Sequence, residues 1–311
     1  MNSAKCVILL ILMILFAACL QNTKKNAVPN YKASGPITLH SVHDITIKNI
    51  AINTTNQAGI TLNNCVNVTI TNCRLSNLRI AIKLYRCRNV VVKKCYIKNT
   101  STGIYVLESK EIKVVYNQIK NVLGPFPLGQ AVQFDNVGGI GNRVNYNRCE
   151  NIAGKSNPED VISMYKTNGI ATDPVQIIGN WIRGGGPSKT GGGIMLGDKG
   201  GSYIVAKYNR LVNPGQYGMA ISGGTHMQIT GNRIYAIQRP YTNIGMYVWA
   251  QSLAPCGFNI VGYNQVNWSN AQGANYCSWN QGNCNNIINW DSNVCDSKIN
   301  EAIIPAKFIR E

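Results

Sequence analysis

The feature that most constrains this chain is an eight-residue pattern, apolar-x-apolar-x-x-Asn/Cys-x-apolar, which returns again and again from residue 45 onward. Copies run over Val68 to Leu75, Val90 to Ile97, Ile112 to Ile119, Val175 to Ile182 and Met227 to Ile234. The sixth position reads Ile50, Cys73, Cys95, Asn117, Asn147, Asn180, Asn209, Asn232 and Asn264, in steps of 23, 22, 22, 30, 33, 29, 23 and 32 residues. Between copies lies a four-residue apolar stretch: Gly59 to Leu62, Ala81 to Leu84, Gly103 to Val106 and Ala131 to Phe134, then Val161 to Met164, Gly193 to Leu196, Gly218 to Ile221 and Gly245 to Val248. A period this short means stacked units, none of which buries its apolar face alone.

Each unit holds two or three short period-two segments and no 3.6-residue period. A doubly wound sheet is excluded because its crossover helices are missing. A leucine-rich repeat would need a helical half, and a propeller blade about 40 residues or more. A unit near 22 residues fits one turn of a parallel β-helix, whose turns stack at about 4.8 Å. Asn at an equivalent corner can form a side-chain amide ladder and tolerates a left-handed corner conformation. In these strands, and in the series Asn117, Asn147, Asn180, Asn209 and Asn232, the sequence resembles the right-handed parallel β-helix (pectate-lyase-like) superfamily over residues 38–270. The expected fold is all-β: a single-stranded right-handed parallel β-helix of about nine to ten turns, with residues 271–311 as a C-terminal cap.

Composition narrows the rest. Apolar residues make up 45% and charged residues 14%, which excludes a disordered chain and a coiled coil. The formal charge of +17 comes from 30 Lys+Arg against only 13 Asp+Glu, and favours an anionic partner without naming it. Residues 1–18 have a basic start, an apolar run from Val7 to Phe16 and small residues before Cys19, the layout of an export signal. Phe16-Ala-Ala-Cys19 resembles a bacterial lipoprotein box. It implies lipidation of Cys19, a membrane held only through that anchor, and a periplasmic or cell-surface location. Residues 19–37 read as a tether. No basic helix or RNA-binding motif points to nucleic acid.

Cys65 and Cys87, like Cys73 and Cys95, are 22 residues apart. They are expected to stack in the core as thiols, with vertical disulfides as the alternative in an oxidising compartment. Cys256, Cys277, Cys284 and Cys295 are expected to close the C-terminal cap as disulfides of open connectivity.

Insertions in a solenoid emerge as loops beside the binding face, and the turns between Asn117 and Asn209 are the long ones. Alternation along the strands exposes one column, Thr61, Lys83, Tyr105, Gln133, Ser163, Met195, Ala220 and Tyr247, and beside it Asp135, Tyr165 and Trp249. Asp135, Lys166 and Asp198 are predicted to stack vertically on consecutive turns. The expected catalytic group is Lys166, Asp160, Asp198 and Tyr165. Gln133, Asp135, Glu159, Ser163, Arg183, Gln216, Tyr217, His226 and Trp249 are expected around it as substrate contacts, with Tyr217 and Trp249 as exposed platforms for sugar rings. Asp135, Glu159 and Asp160 also form a candidate calcium set; no other cofactor is expected.

The superfamily resemblance implies polysaccharide handling. Lys166 as base, with the acids placing a cation, suits β-elimination on an acidic polysaccharide. Paired carboxylates, Asp160 with Asp198 or Asp135 with Glu159, suit glycoside hydrolysis instead. A non-catalytic glycan-binding or adhesion role also fits, since Lys166 between two aspartates is equally a surface ion-pair ladder. The polygalacturonase-type N-x-D, D-D, G-H-G and R-x-K set is absent.

Overall fold

The computed structural model describes residues 30–125 and 128–310. The export signal and Cys19 lie outside them. From Tyr31 onward the chain forms one compact unit with three strand-bearing faces. All the strand-to-strand pairings are parallel, and every pairing joins one turn to the next, which makes the coil a right-handed parallel β-helix. The first face is traced by Ile37↔Ile60↔Ile82↔Ile104↔Val132↔Ile162↔Ile194↔Met219↔Met246↔Ser278. The second face runs through the strands of residues 43–48, 66–71, 88–93 and 110–115 to 224–230. The strand Ile194–Lys207 belongs to both, joining them into a 19-stranded sheet. The third face is an 11-stranded sheet.

The apolar positions of the repeat all point inward. Ile60, Ile82, Ile104, Val92, Val114, Ile97 and Ile182 are wholly buried, each contributing roughly 1.5–3 kcal/mol of apolar burial. Cys65, Cys73, Cys87, Cys95 and Cys149 lie among them as free, buried thiols. Burial pushes the Cys149 thiol up to about 12, so it packs as a small hydrophobe.

The sixth position of the repeat sits at the corner between the second and third faces. Asn117 Nδ2 donates to Asn147 Oδ1 at 3.0 Å, and Asn147, Asn180, Asn209, Asn232 and Asn264 continue the chain to Asn293. The left-handed conformation, however, falls one residue earlier, at Asn72, Lys94, Tyr116, Tyr146, Gly179, Tyr208, Gly231 and Tyr263. The ladder asparagines need their backbone N–H for the amide one turn on, as in Asn147 N to Asn180 Oδ1 at 2.9 Å, so the turn itself is made by their neighbour.

The coil does not stop at residue 270. Ser278–Asn280 pairs with the first face and Val294–Cys295 with the third. Two disulfides, Cys256–Cys284 and Cys277–Cys295, pin these last turns, which gives the expected cap its connectivity. The final residues then run back over the third face. Arg210 donates to Ile303 O, Arg183 to Ile304 O and Ala306 O, and Arg148 to Phe308 O.

Candidate active site

Among the described residues, the corner from the third to the first face carries the longest insertions, residues 123–125 with 128–131, 151–161 and 184–193. They bring acids to one edge of the first face. Glu159 and Asp160 close the second of these loops just before the strand Ile162–Asn168. Both are buried.

Asp160 is fixed by two donors on one oxygen. Gly192 N donates to Oδ1 at 3.0 Å, and the Tyr217 hydroxyl donates to the same atom. Tyr217 reaches from one turn beyond Gly192 because Gly192 has no side chain. A Cβ there would lie 2.7–2.8 Å from the Tyr217 ring. Among the described residues Oδ2 has no partner, and it is not one of the wholly buried unpartnered oxygens. Burial, reinforced by the nearby charges of Glu159 and Asp198 and only partly offset by the two donors, pushes the Asp160 carboxyl up to about 7. Burial likewise raises the Tyr217 phenol, so Tyr217 stays a donor.

Glu159 accepts from Thr190 Oγ1 at 2.5 Å, while its Oε2 is buried without a partner. Asp198 lies at the other end of the same strands, and burial raises its carboxyl above the ordinary value. Asp135, at that same end, accepts the Tyr105 hydroxyl at 2.7 Å.

Several expectations change at this point. Lys166 does not stack between Asp135 and Asp198; the register is Asp135↔Tyr165↔Asp198. One extra residue, Gly197 (φ 69°), bulges the strand after Leu196. Lys166 occupies a left-handed corner (φ 46°), exposed, with its ammonium 5.3 Å from the Tyr165 ring. Tyr217 is no exposed platform but wholly buried, edge-on to Tyr247. Arg183 lies on the third face, holding the C-terminal tail and covering Phe308. His226 is on the second face, stacked between Tyr203 and Phe258 at 4.4 and 5.1 Å. The calcium set does not converge. Asp135 sits at the opposite strand end from Asp160, Glu159 turns to Thr190, and among the described residues no three metal-ligating side chains come together.

Gln133 and Ser163 do sit in register on the outer side of the first face, between the two acidic ends. Down the same column Met195, Ala220 and Tyr247 form a small outer apolar layer with Tyr217 and Ile244. Beyond it opens a cleft of about 520 Å³ lined by Trp249, Trp279, Tyr247, Tyr276, Gln216 and Gln251. Trp249 is 43% exposed and meets Trp279 edge-on at 6.0 Å. Up the stack, Tyr105, Gln133, Asp135 and Tyr165 line a shallower hollow of about 410 Å³. By turn, Asp160 and Asp198 lie between the hollow, which Asp135 lines, and the aromatic cleft. Trp279, Tyr276, Thr190 and Gln251 were missed from sequence. Trp279 had a signal: it follows Tyr247 by 32 residues, the step that also separates Asn232 from Asn264.

Residues 22–173 match the family model described as right-handed beta helix region, just under half of the chain. No curated protein sequence matches. Among solved structures, the catalytic domain of a GH87 alpha-1,3-glucanase variant in complex with tetrasaccharides is similar at a TM-score of 0.52 and 14% identity, over 85% of this chain and 61% of that one. DFA-IIIase from Arthrobacter chlorophenolicus A6 in complex with GF2 aligns at a TM-score of 0.46 and 13% identity, over 78% of this chain and 52% of that one. This chain therefore spans about three fifths of the glucanase domain. At such identities the likeness is one of fold, and it agrees with the coil of parallel strands.

Proposed function

We propose that this β-helix hydrolyses glycosidic bonds of a glycan held along the outer groove of the first face, with Asp160 as general acid and Asp198 as general base. The observation that carries the reading is the Asp160 carboxyl, pushed up to about 7 while its Oδ2 stays unbonded. A carboxyl protonated near neutral pH can hand its proton to a leaving oxygen. Asp160 gives a proton to the glycosidic oxygen as the bond to the anomeric carbon breaks. Asp198 takes a proton from the water that forms the new bond there, and solvent restores both groups. The charge of Asp198 acts on Asp160, and the two carboxyls stand at opposite ends of the first-face strands with no hydrogen bond between them, as a general acid and a general base on opposite sides of a sugar require. The structural neighbour bound to tetrasaccharides is a glucanase, which supports the same class of chemistry.

Hydrolysis displaces elimination as the preferred chemistry for a physical reason. The base that elimination requires, Lys166, is not level with Asp135 and Asp198 but sits one residue on, at an exposed left-handed corner with its ammonium over the Tyr165 ring. Asp135 lines the upper hollow, which disfavours a polyanion there, and the Trp249 and Trp279 wall of the lower cleft suits an uncharged glycan. The test is product chemistry on a panel of neutral and uronic-acid polysaccharides. New reducing ends without the ultraviolet absorbance of an unsaturated uronate, lost in Asp160→Asn and in Asp198→Asn, are expected. Absorbing products abolished by Lys166→Ala would restore the lyase reading. Glycan retention with no product at all would make the groove a binding surface.

The same proposal places the protein outside the cytoplasm. The two disulfides support an oxidising compartment, and fatty-acid labelling lost in Cys19→Ala tests the anchor.

A further inference from the structure

The corner between the second and third faces, the one the first face does not share, carries a groove of its own. Its levels read Tyr116, Tyr146, Gly179, Tyr208, Gly231 and Tyr263, all with left-handed backbone. Tyrosine is a poor choice for that conformation, which Asn or Gly adopts more readily, and Asn72 does so at an earlier level. Nor do the rings gain burial. Tyr116, Tyr146 and Tyr208 are 55%, 47% and 67% exposed. Large rings held in a costly conformation and left in water are not explained by folding.

The glycines determine how the rings lie. Tyr146 stacks under Tyr116 at 5.2 Å and 11° and rests on Gly179, where a Cβ would come within 2.7 Å of its ring. Tyr208 rests in the same way on Gly231, at 2.9 Å. The resulting trench of about 510 Å³ continues onto the third face, where it is lined by Trp181 between Arg148 and Arg210. Among the described residues no carboxylate lines it. Among the described residues each of these arginines uses one terminal nitrogen on a tail carbonyl and makes no ion pair with a carboxylate.

We propose that this trench is a second, non-catalytic site that binds an anionic polysaccharide. Aromatic rings pack on pyranose CH groups, and guanidinium groups pair with carboxylate or sulfate. Tyr146 and Tyr208 are two levels apart, roughly 9.6 Å, about the span of two linked pyranoses. A nucleic acid fits less well. The Tyr116–Tyr146 pair is closed on itself, so a flat base has no slot between those rings. The site complements the bond-cleaving groove in charge: acids cluster on one, arginines on the other.

The test is affinity electrophoresis of the full chain through gels containing polygalacturonate, dextran sulfate or neutral dextran, with an oligothymidylate shift assay beside it. Binding is the readout, so the result does not depend on the hydrolase reading. Retardation by one or both anionic polymers, weakened by salt and absent with dextran, is expected. Which polymer retards tells carboxylate from sulfate. Tyr146→Ala/Tyr208→Ala should weaken it roughly tenfold, and Tyr208→Glu should weaken it too, with circular dichroism unchanged because the rings are exposed. No retardation in either anionic gel, or equal retardation of the variants, overturns the proposal. So does a Tyr208-dependent shift of the oligothymidylate tighter than any polysaccharide effect.

Discussion

At the residue scale the decisive group is Asp160, and its environment makes it unusual before any substrate is considered. Its folded carboxyl lies near 7, against about 3.9 for an unfolded aspartate. A carboxyl raised in the fold costs nothing while protonated in both states and destabilises the fold once the unfolded chain ionises. Stability is therefore fully present below about pH 4 and is lost as pH rises through 7. The difference is on the order of 4 kcal/mol by 1.36 kcal/mol per unit. Asp160→Asn keeps an oxygen for Gly192 N and the Tyr217 hydroxyl but has no charge to bury. We predict that it melts above wild type at pH 8 and together with wild type near pH 4, as read by thermal denaturation across pH. A variant that is less stable at every pH would show that Asp160 is ionised and paired in the fold. Catalysis should follow the same group. The alkaline limb of the rate profile falls near pH 7 as Asp160 ionises, and the acid limb lies above the ordinary carboxylate range because Asp198 is raised as well. Gly192→Ala places a methyl group against the Tyr217 ring. It should weaken the Tyr217–Asp160 bond and shift the alkaline limb, whereas an unchanged pH profile would mean that Tyr217 has no part in holding the acid.

At the element scale the asparagine ladder is what joins turn to turn in the interior. Asn180 accepts from Asn147 N and Nδ2 and donates to Val144 O and Asn209 Oδ1. Asn180→Ala leaves a buried amide N–H and a buried carbonyl without partners, at about 1–3 kcal/mol each. We predict a loss of about 3 kcal/mol or more in denaturant unfolding. Loss of under about 1 kcal/mol would mean that water replaces the ladder. This element was legible in the sequence because core alternation and corner chemistry repeat with each turn. The placement of Lys166 was not. Counting residues from the strand start assumes equal turns, and the extra residue at Gly197 brings Asp198 level with Tyr165 in place of Lys166. The burial of Tyr217 was hidden for a similar reason. Alternation correctly puts it outside the coil, but a second layer of Met195, Ala220 and Tyr247 packs over the outer face there.

At the scale of the whole molecule the C-terminal tail closes the third face, and the sequence offered no hint of it because the tail carries no repeat. Ile304 and Phe308 are buried against Val212, beside Trp181 and Tyr235. Two such side chains contribute roughly 3–6 kcal/mol, and the half-exposed arginine–carbonyl bonds add about 1 kcal/mol each. Against this stands the ordering of the eight residues from Ile303 to Arg310, at about 1–2 kcal/mol per residue. The two sides nearly cancel. The tail should therefore act as a cover more than as a source of stability. A chain ending at Ala302 is expected to unfold within about 2 kcal/mol of wild type and to hydrolyse glycan at an unchanged rate, since the groove lies on another face. It should also bind a hydrophobic dye and self-associate, because Val212 and Trp181 become an open apolar stripe between arginines. A collapse of stability on truncation would mean that the tail locks the coil. Lost activity with the fold intact would mean that the third face communicates with the groove, a coupling for which no shared side chain is visible.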